Sequence, residues 1–233
     1  IKGRGNYTWT GFDKKPYRIK LTDKQPLLGM KKSKHFALLA HADDAQNKKG
    51  FMRNQVGFEL SRMIGMAWTP ATAPVEVMLN GDYIGLYFLT ETIRVDKDRV
   101  NIVEQEDEET DPTAITGGWL VEIDNYDTDP HVTIKEGDNR HDIWFTYKTP
   151  EVLSKAQETF LGDEMTRIDN LVYGDKNSDE LWQYLDMDAL AKFYIVQEIM
   201  DNYESFHGSC YLYREKGDGE KWKFGPVWDF GSA

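Results

Sequence analysis

Cysteine is almost missing from this 233-residue chain. Its one representative, Cys210, can form no internal disulfide and cannot build a cysteine-based zinc site. No stretch approaches the ~18 uninterrupted apolar residues of a membrane-spanning helix. Positive charge is in deficit: 28 Lys+Arg stand against 40 Asp+Glu, a net charge of -12. Such a balance opposes non-specific nucleic-acid binding, which needs a basic surface to release counterions. The histidines, His35, His41, His131, His141 and His207, include no i, i+4 pair and no HExxH, which argues against a histidine metal site. Ser61, Ser205 and Ser209 lie in no GxSxG elbow, so a serine hydrolase has no support. The chain opens on Ile1 rather than Met and reads as a trimmed piece, so its ends do not reveal a compartment.

What the chain has in quantity is large apolar side chains. Aromatics make up 13% of it, enough for a sizeable core in one large domain or two intimate lobes. Tyr17 to Leu21 alternates, with Tyr17, Ile19 and Leu21 on one strand face and Arg18 and Lys20 on the other. Phe36 to Ala40 reads as a buried strand. From Phe51 to Ile64 the spacing is helical, with Val56, Leu60, Met63 and Ile64 as its stripe and Gly65 as the stop. Pro74 to Leu79 and Tyr83 to Leu89 flank Asn80-Gly81, a hairpin signal because a type I′ turn needs two residues at positive φ. The acidic stretch Glu104 to Asp111 reads as a solvated loop.

Strands are expected over Trp119–Asp124, around Val132 and over Ile143–Tyr147. After Pro150 the character changes. Leu153, Ala156 and Phe160 recur at helical spacing, then Ile168, Leu171 and Val172. Asp186 to Met200 is the strongest helix, its stripe Leu190, Phe193, Val196, Ile199 and Met200. Ser209–Tyr213 and Trp222–Phe230 return to strands. The pattern predicts an α+β fold, strand-rich over 1–149 and helix-rich over 150–233, with two lobes and a cleft.

Four segments can carry chemistry. Asp229, after an apolar run and within Asp229-Phe230-Gly231, sits where a strand ends and can meet Mg²⁺ and phosphate. Asp201-Asn202-Tyr203-Glu204 closes the strongest helix and offers hard oxygen ligands, or simply ends the helix with Asn202 in the left-handed region. Arg4 lies between Gly3 and Gly5, which let backbone amides approach an anion beside its guanidinium. Lys20 lies on a polar strand face, Arg53 at a helix start where an anion would be favoured, and Glu122 shares a face with Asp124. Solvated faces and structural ion pairs are the ordinary alternatives for these three. Cys210 reads as a buried small hydrophobe.

These blocks together resemble the CotH family, atypical kinases first named for a spore-coat protein. The resemblance rests on Ile1-Lys2-Gly3-Arg4-Gly5-Asn6 with Trp9, Lys15 to Leu21, Leu28-Gly29-Met30, Arg53-Asn54 with Phe58 to Arg62, Leu79-Asn80-Gly81 through Gly85-Leu86-Tyr87, Gly118 to Glu122, and Gly225 to Phe230. It reaches from residue 1 to 231. It implies a kinase-like fold that binds ATP with Mg²⁺ and phosphorylates Ser or Thr hydroxyls of a secreted, surface or spore-coat protein. By carry-over, Asp229 and Asn202 would hold the metal, Glu204 would serve the acceptor hydroxyl, and Arg4, Lys20, Arg53 and Glu122 would manage phosphate charge. The chain departs from the family pattern at Glu204, where an Asp is usual, and at Gly231, where a second Asp is common. Those departures leave a binding or scaffold module of an extracellular multidomain protein as the alternative. A carbohydrate-active domain, suggested by 7 Trp and many carboxylates, has no motif behind it.

Overall fold

A computed structural model describes residues 1–40, 50–124, 129–134, 142–174 and 179–231 of the chain; His41 and His141 lie outside them. The first sheet is built in chain order from β1 (Lys2–Gly3), a short helix α1 (Tyr7–Gly11), β2 (Tyr17–Gln25) and β3 (Ser33–Leu39). A 3₁₀ turn at Gly50–Met52 and helix α2 (Arg53–Met63) come next, then the hairpin β4 (Thr72–Leu79) and β5 (Asp82–Glu91). The strands are antiparallel in the order β1-β2-β3-β5-β4. Asn80 and Gly81 turn the hairpin at φ 53 and 95, as their residue types require.

Strand alternation sorts this sheet into two faces. Tyr17, Ile19 and Leu21 join Phe36, Leu38, Tyr87 and Leu89 in a small core on one side. Ala37, Leu39 and Phe88 face the other way, into the main core with Phe58, Trp119 and Phe230. Arg18 pairs with Ala37 and Lys20 with His35, which puts both cations on that second face, at the sheet's β2 side.

The second sheet holds β6 (Trp119–Asp124), β7 (His131–Ile134), β8 (Ile143–Thr149), β9 (Cys210–Arg214) and β10 (Lys223–Phe224), antiparallel in the order β10-β9-β6-β8-β7. Between β8 and β9 lie α3 (Lys155–Tyr173), α4 (Leu181–Tyr184) and α5 (Met187–Ile199). The fold is an α+β mix, and this sheet draws strands from both sides of residue 150. Trp222 to Phe230 is not one strand: pairing stops at Phe224, Gly225 takes φ 119, and Pro226 has no N–H to give a ladder.

The helix stripes also differ from the periodicity. In α2 the buried face is Asn54, Gly57, Phe58 and Ser61, while Val56 is 51% and Met63 77% exposed. The reason is a close approach: Phe230 lies on the backbone of Gly57, where any Cβ would overlap its ring. Ser61 Oγ donates to Gly57 O at 2.7 Å, so the polar residue on this face is satisfied. In α3 the fully covered positions are Gln157, Leu161 and Met165, none of them in the expected set and the first two one residue on from Ala156 and Phe160, although Phe160 stacks on Trp119. Gln157 is buried because it works: with Ser154 it forms a capping box, and its Nε2 donates to Gln105 Oε1 and Glu106 O. The acidic stretch is a loop, yet it is tied down. Asp107 Oδ1 accepts from the Glu151 and Val152 amides, and Glu104 accepts from Thr149 Oγ1. Of the stripe expected in α5, Phe193 and Val196 are buried and Ile199 is 64% exposed.

Candidate active site

The end of α5 creates the first part of the site. Met200 caps the helix, and Asp201, not Asn202, takes the left-handed conformation at φ 51. The Asp201 amide donates to Glu198 O and the Asn202 amide to Gln197 O, the paired bonds of a Schellman stop. Asn202 is thereby turned inward and buried. Its Nδ2 donates to Gln197 Oε1 at 2.9 Å and to Asp229 O at 3.1 Å. Its Oδ1 is buried with no hydrogen-bond partner. A buried amide oxygen left this way costs about 1–3 kcal/mol, so it marks a place where a ligand is expected.

The last described residues supply the second part. Trp228 and Phe230 are buried on either side of Phe58, at ring distances of 6.0 Å each, and Asp229 is held between them at φ 55. Two residues at the start of α2 fix this segment. Asn54 Oδ1 accepts from the Phe230 amide at 3.0 Å, and Arg53 Nη1 donates to Gly231 O at 2.8 Å. The Gly231 amide in turn donates to Asp229 Oδ1 at 3.1 Å. Burial pushes the Asp229 carboxyl above the usual carboxylate range and the charge of Glu204 adds to this, while the Gly231 amide and Arg4 oppose it. These surroundings therefore disfavour the charged form of Asp229.

Glu204 lies in the turn after α5, where its carbonyl accepts from the His207 and Gly208 amides. Its side chain folds back over Gly208, close enough that a Cβ there would stand 3.0 Å from Oε1. On the opposite side, Arg4 stacks over the Trp228 ring at 5.4 Å. Burial pulls its guanidinium below the ordinary value, against the pull of Asp229, Tyr211 and Glu122. The flanking glycines have roles in the fold: Gly3 makes room for the Trp9 ring, and Gly5 turns the chain at φ 80.

Glu122 is almost fully buried on β6 and its partner is Lys148, at 2.8 Å from β8. Burial raises the Glu122 carboxyl, Lys148 opposes that rise, and the Tyr211 hydroxyl adds a hydrogen bond. Burial alone would lower Lys148, but Glu122 outweighs it and the ammonium is held above its ordinary value. Sequence reading overlooked Lys148, Tyr211 and Asn54. Alternation along Trp144, Thr146 and Lys148 puts the lysine on the polar face beside Glu122, a signal open to inspection. Nothing local marks Asn54.

The structure thus sets Asn202, Glu204 and Arg4 each within reach of Asp229, with Arg53 bound to the Gly231 carbonyl and Glu122 acting on Arg4. Lys20 stands apart: it is exposed, and it acts on His35 rather than on Asp229. Among the described residues no three His, Cys, Asp or Glu side chains converge on one point. Two protein oxygens, Asp229 carboxylate and Asn202 Oδ1, suit Mg²⁺, which keeps water and phosphate oxygens for its other positions rather than filling an all-protein cage. The residues present fit that ion.

Among the described residues no helix is long and apolar enough to cross a membrane. No curated protein matches the chain. The description CotH kinase protein matches over residues 1–233, the whole length. A match over the whole length shows the family: the chain belongs to the CotH kinase protein family.

Proposed function

We propose that this chain is an ATP- and Mg²⁺-dependent protein kinase of the CotH type, with the two sheets standing as the two lobes around its site. On this reading the part before residue 150 supplies cations and the part after it supplies the carboxylates. The observation that carries it is the buried, unpartnered Oδ1 of Asn202, whose Nδ2 holds the Asp229 carbonyl, together with the raised Asp229 carboxyl. Together they make an incomplete oxygen site whose natural complement is a hard cation bearing phosphate.

Mg²⁺, when bound, neutralises charge across the phosphate oxygens. Arg4, steadied on Trp228 and backed by Glu122, faces the same charge from the other side. Glu204 orients a Ser or Thr hydroxyl and accepts its proton as the hydroxyl oxygen bonds to the γ-phosphorus. The bond from that phosphorus to the β–γ bridging oxygen breaks, and ADP leaves with the electron pair. Little covalent work falls to the protein, so placement decides the rate. Acceptors would be proteins of a spore coat, a cell surface or the extracellular space, in keeping with the family.

The test is transfer of labelled γ-phosphate to the chain itself or to a generic acceptor, for wild type and Asp229→Asn. Metal-dependent labelling in wild type and none in the variant is expected. Absent transfer in a wild-type protein that still binds ATP would point to the binding-module alternative.

A further inference from the structure

Two turns of this chain pass through the left-handed region at two successive residues, and they carry different side chains there. Asn80-Gly81 turns the β4–β5 hairpin at φ 53 and 95, with a first residue that tolerates the angle. Leu28-Gly29, in the connection from β2 to β3, sits at φ 46 and 81, and the Met30 amide closes the turn on Leu27 O at 2.8 Å. Positive φ strains a bulky side chain. Leu28 is also 64% exposed, so little packing within the chain offsets that strain.

The turn is nonetheless anchored: Leu27 and Met30, on either side of it, pack into the small core of the first sheet. Lys31 and Lys32 come next, both exposed, and neither takes part in an ion pair among the described residues. They belong to the basic end of an acidic chain. Residues 1–40 hold 10 Lys+Arg and 2 Asp, whereas residues 41–233 hold 18 Lys+Arg and 38 Asp+Glu. The result is a fixed leucine knob beside two free cations.

Its complement is an acidic surface with an apolar side chain in it, and the chain carries one. Of the six carboxylates from Glu104 to Asp111, four serve the fold. Glu104 accepts from Thr149 Oγ1, Asp107 from the Glu151 and Val152 amides, Glu109 from the Thr110 and Asp111 amides, and Asp111 from Thr113. Glu106 and Glu108 are exposed and enter no ion pair among the described residues. Beside them Val152 accepts the Glu108 amide on its carbonyl and leaves its side chain 50% exposed. Both surfaces are held in place before they meet, which keeps the entropic cost of docking low.

We propose that the Leu28 turn docks on the Glu106–Glu108–Val152 surface of a second copy of this chain. Leu28 covers Val152, and Lys31 and Lys32 meet Glu106 and Glu108. Leucine is kept at a strained angle because its side chain is used outside its own molecule, where Asn would serve the turn alone. The contact is small, so it makes a weak association rather than an obligate dimer. Neither surface includes a residue of the Asp229 corner, so the inference is independent of the kinase reading.

Sedimentation velocity of the whole chain, from about 1 to 100 μM in about 0.1 M salt, tests this. The wild-type sedimentation coefficient is expected to rise with concentration. Leu28→Asn separates strain from contact: it should melt about 2–4 °C higher than wild type, because Asn suits the turn, and associate about tenfold more weakly or less. Lys31→Glu with Lys32→Glu should weaken association as much, and so should Glu106→Lys with Glu108→Lys. Mixing these two double variants puts an intact turn and an intact loop on different copies, so association should return. A wild type that stays monomeric at the highest concentration overturns the proposal. So does a Leu28→Asn variant that associates like wild type, or a mixture that stays monomeric. Binding to phosphatidylserine vesicles without self-association also overturns it, and makes a lipid surface the partner of the turn.

Discussion

Asp229, Asn202 and Glu204 stand where the chain is irregular: past a helix stop, in a turn, and on a left-handed residue between two buried aromatics. Arg18, Lys20 and His35 stand on paired strands at fixed register. The first group depends on backbone geometry that several other residues must enforce, and the second needs only two strands to pair. The Asp229 carboxyl at the irregular corner is drawn out of water at a cost in stability, whereas Arg18 and Lys20 on β2 stay exposed. That contrast predicts different responses to mutation, since the corner should trade stability for activity and exposed β2 positions should leave stability nearly unchanged.

The sharpest break of the contrast is Asp229→Asn. Transfer should fall on the order of 10³-fold, because the charge that fixes the metal is lost. Thermal stability should rise, since an amide carries no buried charge and Asn suits a left-handed φ. The sign with pH follows from the raised pKa. Stability linked to Asp229 is full below the ordinary carboxylate value and is lost as pH rises through the raised folded value. Calorimetric scans from acid to neutral pH should therefore slope less in the variant. A variant less stable than wild type at neutral pH contradicts the account.

Glu204→Gln keeps the shape over Gly208 and removes the proton acceptor, so single-turnover rates should drop about 100-fold with ATP affinity nearly unchanged. Equal rates would remove Glu204 from the chemistry. Gly57→Ala acts from a distance, because its new Cβ displaces Phe230 and with it Asp229. Denaturant titration should show a loss of about 1–3 kcal/mol, accompanied by reduced turnover. Lys148→Met leaves Glu122 buried without its cation, and should cost about 1–3 kcal/mol in the same titration. Adding Glu122→Gln to Lys148→Met should recover part of that loss, because the uncompensated charge is gone.

Apart from Trp222 to Phe230, periodicity recovered the strands and the long helices it predicted, because alternation and 3.6-residue spacing report burial of large side chains. Periodicity missed the face of α2 that matters most. Its buried residues, Asn54, Gly57 and Ser61, are small or polar, and their burial comes from contact with a segment some 170 residues away. The left-handed residue after α5 was misplaced by one for a similar reason: either Asp or Asn tolerates that φ, and only the hydrogen bonds to Gln197 and Glu198 decide. Of the residues carried over from the family pattern, Asn202, Glu204 and Arg4 lie at Asp229 and Arg53 binds the Gly231 carbonyl, whereas Glu122 pairs with Lys148 and Lys20 faces His35. Strand alternation gave Lys20 its face correctly, but the distance from β2 to the corner is a tertiary fact.

The central claim is that the Asp229–Asn202 corner holds the cation through which nucleotide phosphate is bound. Calorimetric titration of ATP into the wild-type chain, in Mg²⁺ and then in EDTA, addresses it directly. The account predicts binding at least about tenfold tighter with Mg²⁺, and loss of that difference in Asp229→Asn. Equal affinity in EDTA and Mg²⁺ would contradict it.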